Sequence, residues 1–87
     1  MTNIIIKDGK NRIYCKEVLT VQHEDKYDNI VISLITNEGN VIKLIDNSKY
    51  IDETISAIDR AVISDKKLVI SIGWDKGFRL VTDIEVI

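Results

Sequence analysis

The chain has 87 residues, 45% of them hydrophobic, and 30 are Ile, Val or Leu, which excludes a disordered polymer. Twelve Lys and Arg stand against 14 Asp and Glu, a net charge of −2. That balance fits neither the basic field of a nucleic-acid binder nor the dense acid of a DNA mimic. No apolar run reaches the roughly 18 residues that cross a bilayer, no basic-then-apolar leader opens the chain, and one cysteine cannot make an internal disulfide. The expectation is a single domain over 1–87 in the cytoplasm.

The first punctuation is Asp8-Gly9, between Asn3–Lys7 and Lys10–Cys15. Asp-Gly suits a two-residue type I′ turn, so a first hairpin is expected with Ile4 facing Ile13 and Lys7 facing Lys10. The second strand can continue through Gln22. About twelve residues is long for one strand, and the apolar alternation changes phase near Lys16-Glu17, where a bulge is expected.

His23–Asp28 is polar and reads as a loop. The β-branched run Ile30–Thr36 follows, then Asn37-Glu38-Gly39-Asn40, then Val41–Ile45: a second hairpin with Gly39 in the left-handed position. Both strands are apolar on both faces, which predicts central, buried positions or an interface.

Asp46-Asn47-Ser48 predicts a helix start, since each side chain can accept a backbone N–H there. Ile51, Ile55, Ile58 and Val62 follow at helical spacing, with Asp52, Glu53, Ser56, Asp59 and Arg60 off that stripe. This predicts one amphipathic helix over about 48–63, whose acidic face of Asp52, Glu53 and Asp59 either complements the helix dipole or offers a docking surface to a basic partner. A third hairpin closes the chain, with Leu68–Ile72, the tip Gly73–Gly77 and Phe78–Ile87. Phe78, Leu80, Ile84 and Val86 are expected on one face, and Arg79, Asp83 and Glu85 on the other. The fold class expected is α+β: a mainly antiparallel, curled sheet in the order ββββαββ with the helix packed on it.

No residue pattern supports catalysis. His23 is the one histidine, and Glu24, Asp25 and Asp28 beside it lack the Asp-x-Asp-x-Asp-Gly order of a cation loop. Cys15 has no base placed near it and reads as a buried thiol. No serine sits in a Gly-x-Ser-x-Gly elbow, and Gly73–Gly77 lacks the spacing of a phosphate loop. No cofactor, metal or catalytic residue is therefore assigned.

Binding is the alternative. Trp74 and Phe78 flank one tight turn and Lys76 and Arg79 adjoin them, so a recognition tip competes with a core plug. Asp83 and Glu85 extend that surface along the last strand. The leading expectation is a small protein-binding module acting by occlusion, such as an inhibitor encoded by a phage or mobile element. Its contact residues would be Trp74, Lys76, Phe78, Arg79, Asp83 and Glu85. The last strand, ending Ile84-Glu85-Val86-Ile87, could also pair edge to edge with a second copy. The alternatives are a homo-oligomeric structural subunit and a nucleic-acid-binding sheet that stacks bases on Trp74; net acidity disfavours the second.

Overall fold

Ile30, Ile32 and Leu34 alternate into the interior of the molecule and are almost wholly buried. They lie on the central strand of a computed structural model that describes residues 2–4, 6–24, 27–75 and 77–87. The elements in chain order are β1 (Thr2–Ile4), β2 (Gly9–Ile13), β3 (Cys15–Glu24), β4 (Asn29–Thr36), β5 (Asn40–Asn47), α1 (Ile51–Ile63), β6 (Leu68–Asp75) and β7 (Phe78–Val86).

Two sheets form, one in the order β1-β5-β4-β3 and one in the order β2-β6-β7. The six strands β2 to β7 pair antiparallel with one another, and with α1 they follow the expected ββββαββ. Two of them, β2 and β3, are halves of what the alternation predicts as one strand. They meet at Tyr14, whose hydroxyl donates to the Asp65 carbonyl (2.9 Å) and whose carbonyl accepts the Asn37 N–H (2.8 Å). The halves pair into different sheets, so this corner joins the sheets on one side. On the other side β5 and β7 lie against each other. The sheet therefore curls toward a barrel, and α1 packs against β3, β6 and β7.

The first expected hairpin does not form. β1 runs parallel to β5, with Ile4 beside Ile42, and Ile13 pairs with Leu68. A type I′ turn needs positive φ at both central residues. Gly9 has φ of 83°, but among the described non-glycines only Asp28 and Asp65 take positive φ. Asn11 organises this loop instead. Its Oδ1 accepts the Lys7 N–H (3.2 Å), and its Nδ2 donates to the carbonyls of Lys7 (2.7 Å) and Gly9 (3.1 Å). The second hairpin forms as expected, with Gly39 at φ 86°.

The helix starts later than its apparent cap. Tyr50 occupies the N-cap position without a side-chain cap bond, and Asp46 and Asn47 end β5. Asp46 is buried, which makes it a tie between elements: its carboxylate accepts the Thr54 hydroxyl from α1 and the Asn47 N–H (2.8 Å). Asn47 Oδ1 accepts the Lys49 N–H (2.9 Å), a side-chain turn of the kind Asn favours. The apolar stripe behaves as its spacing requires. Ile58 and Ala61 join the core, and Ile51, Ile55 and Val62 pack at its margin.

β7 carries the other departure. Ser71 pairs with Asp83 but Ile72 pairs with Val81, so Thr82 is an extra residue, a bulge that reverses the alternation. Residues opposite each other on a ladder share a face. Val81, Ile84 and Val86 thus share the face of Leu68, Ile70 and Ile72, with Arg79 in phase with them, while Phe78 and Leu80 are out of phase. The single-face grouping of Phe78, Leu80, Ile84 and Val86 is overturned by that one inserted residue.

Candidate functional site

The β6–β7 hairpin places Trp74 opposite Arg79 and Asp75 opposite Phe78, and Gly77 turns the chain at φ 86°. Trp74 is the sole tryptophan of the chain, and it is 64% exposed. Asp8 accepts hydrogen bonds from both Trp74 and Arg79. Arg79 Nε donates to Asp8 Oδ1 at 2.7 Å, and Trp74 Nε1 reaches Asp8 Oδ2 at a long 3.4 Å. A second Arg79 nitrogen, Nη2, donates to the Ile6 carbonyl at 2.6 Å. The Arg79 hydrogen bond, helped by the Trp74 one, holds the Asp8 carboxyl below its ordinary pKa. The guanidinium thus fastens the hairpin tip to the segment before β2.

The tip borders a groove of about 1160 Å³ between α1 and β7. Its walls carry Asp52 and Glu53 from the first turn of α1, Asp75 from the hairpin and Asp83 from β7, with Lys49 and Arg60 as the opposing cations. Leu80 and Ala57 are buried residues of its lining, and Asp46 lies at its end. Burial raises the Asp46 pKa against the opposing effect of the Thr54 hydrogen bond. A second, smaller cleft of about 390 Å³ lies where β2 meets the start of β5, and it has the opposite charge: Lys7, Lys10 and Arg12 against Glu38. The net charge of −2 therefore conceals two clefts of opposite sign.

Trp74 and Arg79 come together, and Asp83 lines the same groove. Phe78 does not stand beside Trp74 as an exposed ring. It is half-buried, with the Tyr27 ring 4.9 Å away and tilted by 55°. Glu85 is exposed on β7, opposite Val69 and away from the groove lining. Lys76 lies outside the described residues. Asp8 and Tyr27 are not singled out as site residues in the sequence, whereas Asp52 and Glu53 read there as part of an acidic helix face. Asp8 reads there only as a turn former, and no local pattern links it to Arg79, 71 residues on.

The groups considered for chemistry are apart. His23 is exposed on β3. Cys15 is buried, and desolvation pushes its thiol up to about 11, so it is protonated at neutral pH and a poor nucleophile. Among the described residues no group of three or more His, Cys, Asp or Glu is placed to hold a metal ion. No helix of the described chain is long and apolar enough to cross a membrane. Compared with protein-family models, curated proteins and solved structures, the chain matches none.

Proposed function

We propose that this chain is a protein-binding module acting by occlusion in the cytoplasm, an inhibitor or regulator of another protein. The observation that carries the reading is Trp74, exposed, with its indole N–H toward Asp8 and its backbone opposite Arg79, at the lip of the groove between α1 and β7. Trp is enriched among residues that dominate interface energies. The carboxylates of Asp52, Glu53, Asp75 and Asp83 favour a partner presenting Lys or Arg, because complementary charge speeds encounter and fixes orientation. The contact surface proposed is Trp74, Arg79 and Asp83 with these groove acids. Phe78 supports the tip through Tyr27.

The test is capture from a nuclease-treated bacterial lysate by the wild type and by Trp74→Ala and Asp83→Lys, with matched unfolding curves for all three. The reading expects one stoichiometric protein on the wild type that both variants lose. Equal capture by stable Trp74→Ala would refute the tip.

A further inference from the structure

We infer that the cleft between β2 and the start of β5 binds a small organic phosphate, its phosphoryl group held by Lys7, Lys10 and Arg12. The cleft has a volume of about 390 Å³, within the range of small-molecule sites. Lys7 comes from the segment before β2 and Lys10 and Arg12 from β2 itself, and among the described residues Glu38 is the one carboxylate of the lining. None of the three cations makes an ion pair or a side-chain hydrogen bond with a described residue; the ion pair that forms is Arg79 with Asp8. The fold thus gathers three cations beside a single carboxylate and pairs none of them, in a chain whose net charge is −2. Lys10 and Arg12 stand two apart on one strand, so their side chains leave the same side of β2, roughly 7 Å from each other. Lys7 is anchored to that strand by Asn11, whose side chain accepts the Lys7 N–H and donates to the Lys7 carbonyl.

A neutral donor in the same lining points to an anion independently of the cations. Thr36 borders the cleft and is only 7% exposed. Its Oγ1 accepts the Asn40 N–H (3.2 Å), and no described group accepts its own hydroxyl proton. A buried hydroxyl in that state has a hydrogen bond left to give. The charge then selects among anions. A phosphomonoester carries about −1.5 to −2 near neutral pH on three acceptor oxygens, whereas a carboxylate carries a single charge, so three cations match the phosphoryl group better. Arg12 can meet two of its oxygens at once, and the lysines act as point charges. Ile6, Ile13 and Ile42 are buried residues of the lining, and Tyr14 borders it with its hydroxyl engaged by the Asp65 carbonyl. An organic body therefore has apolar surface to rest on. Lysines on an edge strand can serve merely to keep other strands away, but that role requires neither the cleft nor Thr36. The cleft shares no lining residue with the groove beside Trp74, so this inference does not rest on the proposed function.

Titration of isotope-labelled protein, followed by the amide resonances at fixed ionic strength, tests it with phenyl phosphate, inorganic phosphate and benzoate as probes. Phenyl phosphate is expected to shift the amides of Lys10, Arg12 and Thr36 saturably at millimolar concentration. Inorganic phosphate should bind about threefold more weakly for want of the ring, and benzoate about tenfold more weakly for want of charge. Lys10 and Arg12 are exposed, so Lys10→Gln and Arg12→Gln leave the core intact, and circular dichroism confirms that each variant is folded. Each should weaken phenyl phosphate about tenfold. The absence of saturable shifts at tens of millimolar phenyl phosphate overturns the inference, and so do shifts that both variants leave unchanged. Benzoate binding as tightly as phenyl phosphate overturns the assignment to a phosphoryl group.

Discussion

Arg79 and Asp8, 71 residues apart in sequence, meet through a 2.7 Å hydrogen-bonded ion pair, and the same guanidinium donates to the Ile6 carbonyl at 2.6 Å. The pair ties the last hairpin to the chain just ahead of β2, extending the link that the β2–β6 ladder begins at Gly9. The ion pair itself is solvent-screened, with side chains 31% and 60% exposed, and contributes little. The part-buried bond to the carbonyl is the stronger element. Arg79→Ala should therefore lower stability by about 1 kcal/mol in urea unfolding, and Asp8→Asn by less.

Asp8 and Asp46 should respond to pH with opposite signs. The Asp8 carboxyl lies below its ordinary 3.8 when folded, because Arg79 and Trp74 hydrogen-bond to the charged form. Its contribution is present above 3.8 and is lost as the pH falls through the lowered value. Desolvation raises the Asp46 carboxyl above 3.8, so its contribution is present below 3.8 and is lost as the pH rises through the raised value. The stability gap between wild type and Asp8→Asn should shrink on acidification. The gap between wild type and Asp46→Asn should shrink as the pH rises toward neutral. Urea titrations over the acid range check both.

Thr54 answers the buried Asp46 carboxylate from α1. Thr54→Val keeps the shape and removes the donor, leaving a desolvated oxygen, and should cost about 1–3 kcal/mol. Thr54→Ser retains the hydroxyl and should cost less. Chemical unfolding at neutral pH compares the two.

Much of this architecture is legible in the sequence, because hydrophobic period and turn chemistry are local. The stripe Ile51, Ile55, Ile58 and Val62 gives the helix, and Gly39 gives the central hairpin. The misreadings come from non-local pairing and from single insertions. Asp8-Gly9 has the composition of a tight hairpin turn, yet β1 finds β5 and β2 finds β6, and no local rule ranks those partners. Asp46 reads as a cap because its side chain can accept an N–H in either role; only its burial reveals the tie to Thr54. Trp74 and Arg79 are legible as neighbours across a turn, and Asp52 and Glu53 as an acidic helix face, but the hydrogen bonds of Asp8 to the first pair and the groove that Asp75 and Asp83 complete are not. Segregation of charge depends on tertiary placement, which composition averages away.

Gly73 exposes the geometry of the β7 bulge. A Cβ there would lie 2.9 Å from Cγ2 of Thr82, whose hydroxyl donates to the Ser71 carbonyl at 3.2 Å. Thr82 is β-branched and so has little rotamer freedom with which to yield. Gly73→Ala should cost about 1–2 kcal/mol, and Gly73→Ala/Thr82→Ala should recover part of it. A double-mutant cycle in urea measures that coupling.

Cys15 should be chemically silent in the folded protein. It is 4% exposed, and its thiol is pushed up to about 11. Thiol reagents should label it slowly in buffer and completely in denaturant. Below 9.0 its contribution to stability is intact, and it is lost as the pH rises through about 11, so the difference between wild type and Cys15→Ala should narrow over that interval.

The account rests most directly on Trp74 being a solvent-facing tip rather than a core plug. It is the single tryptophan, so its fluorescence reports on this position alone. Acrylamide quenching of the native protein measures its accessibility. At 64% exposure, the native emission should already lie near that of the unfolded chain and be quenched almost as readily. A blue-shifted emission that resists quenching until the protein is unfolded would place Trp74 in the core and contradict the binding surface built on it.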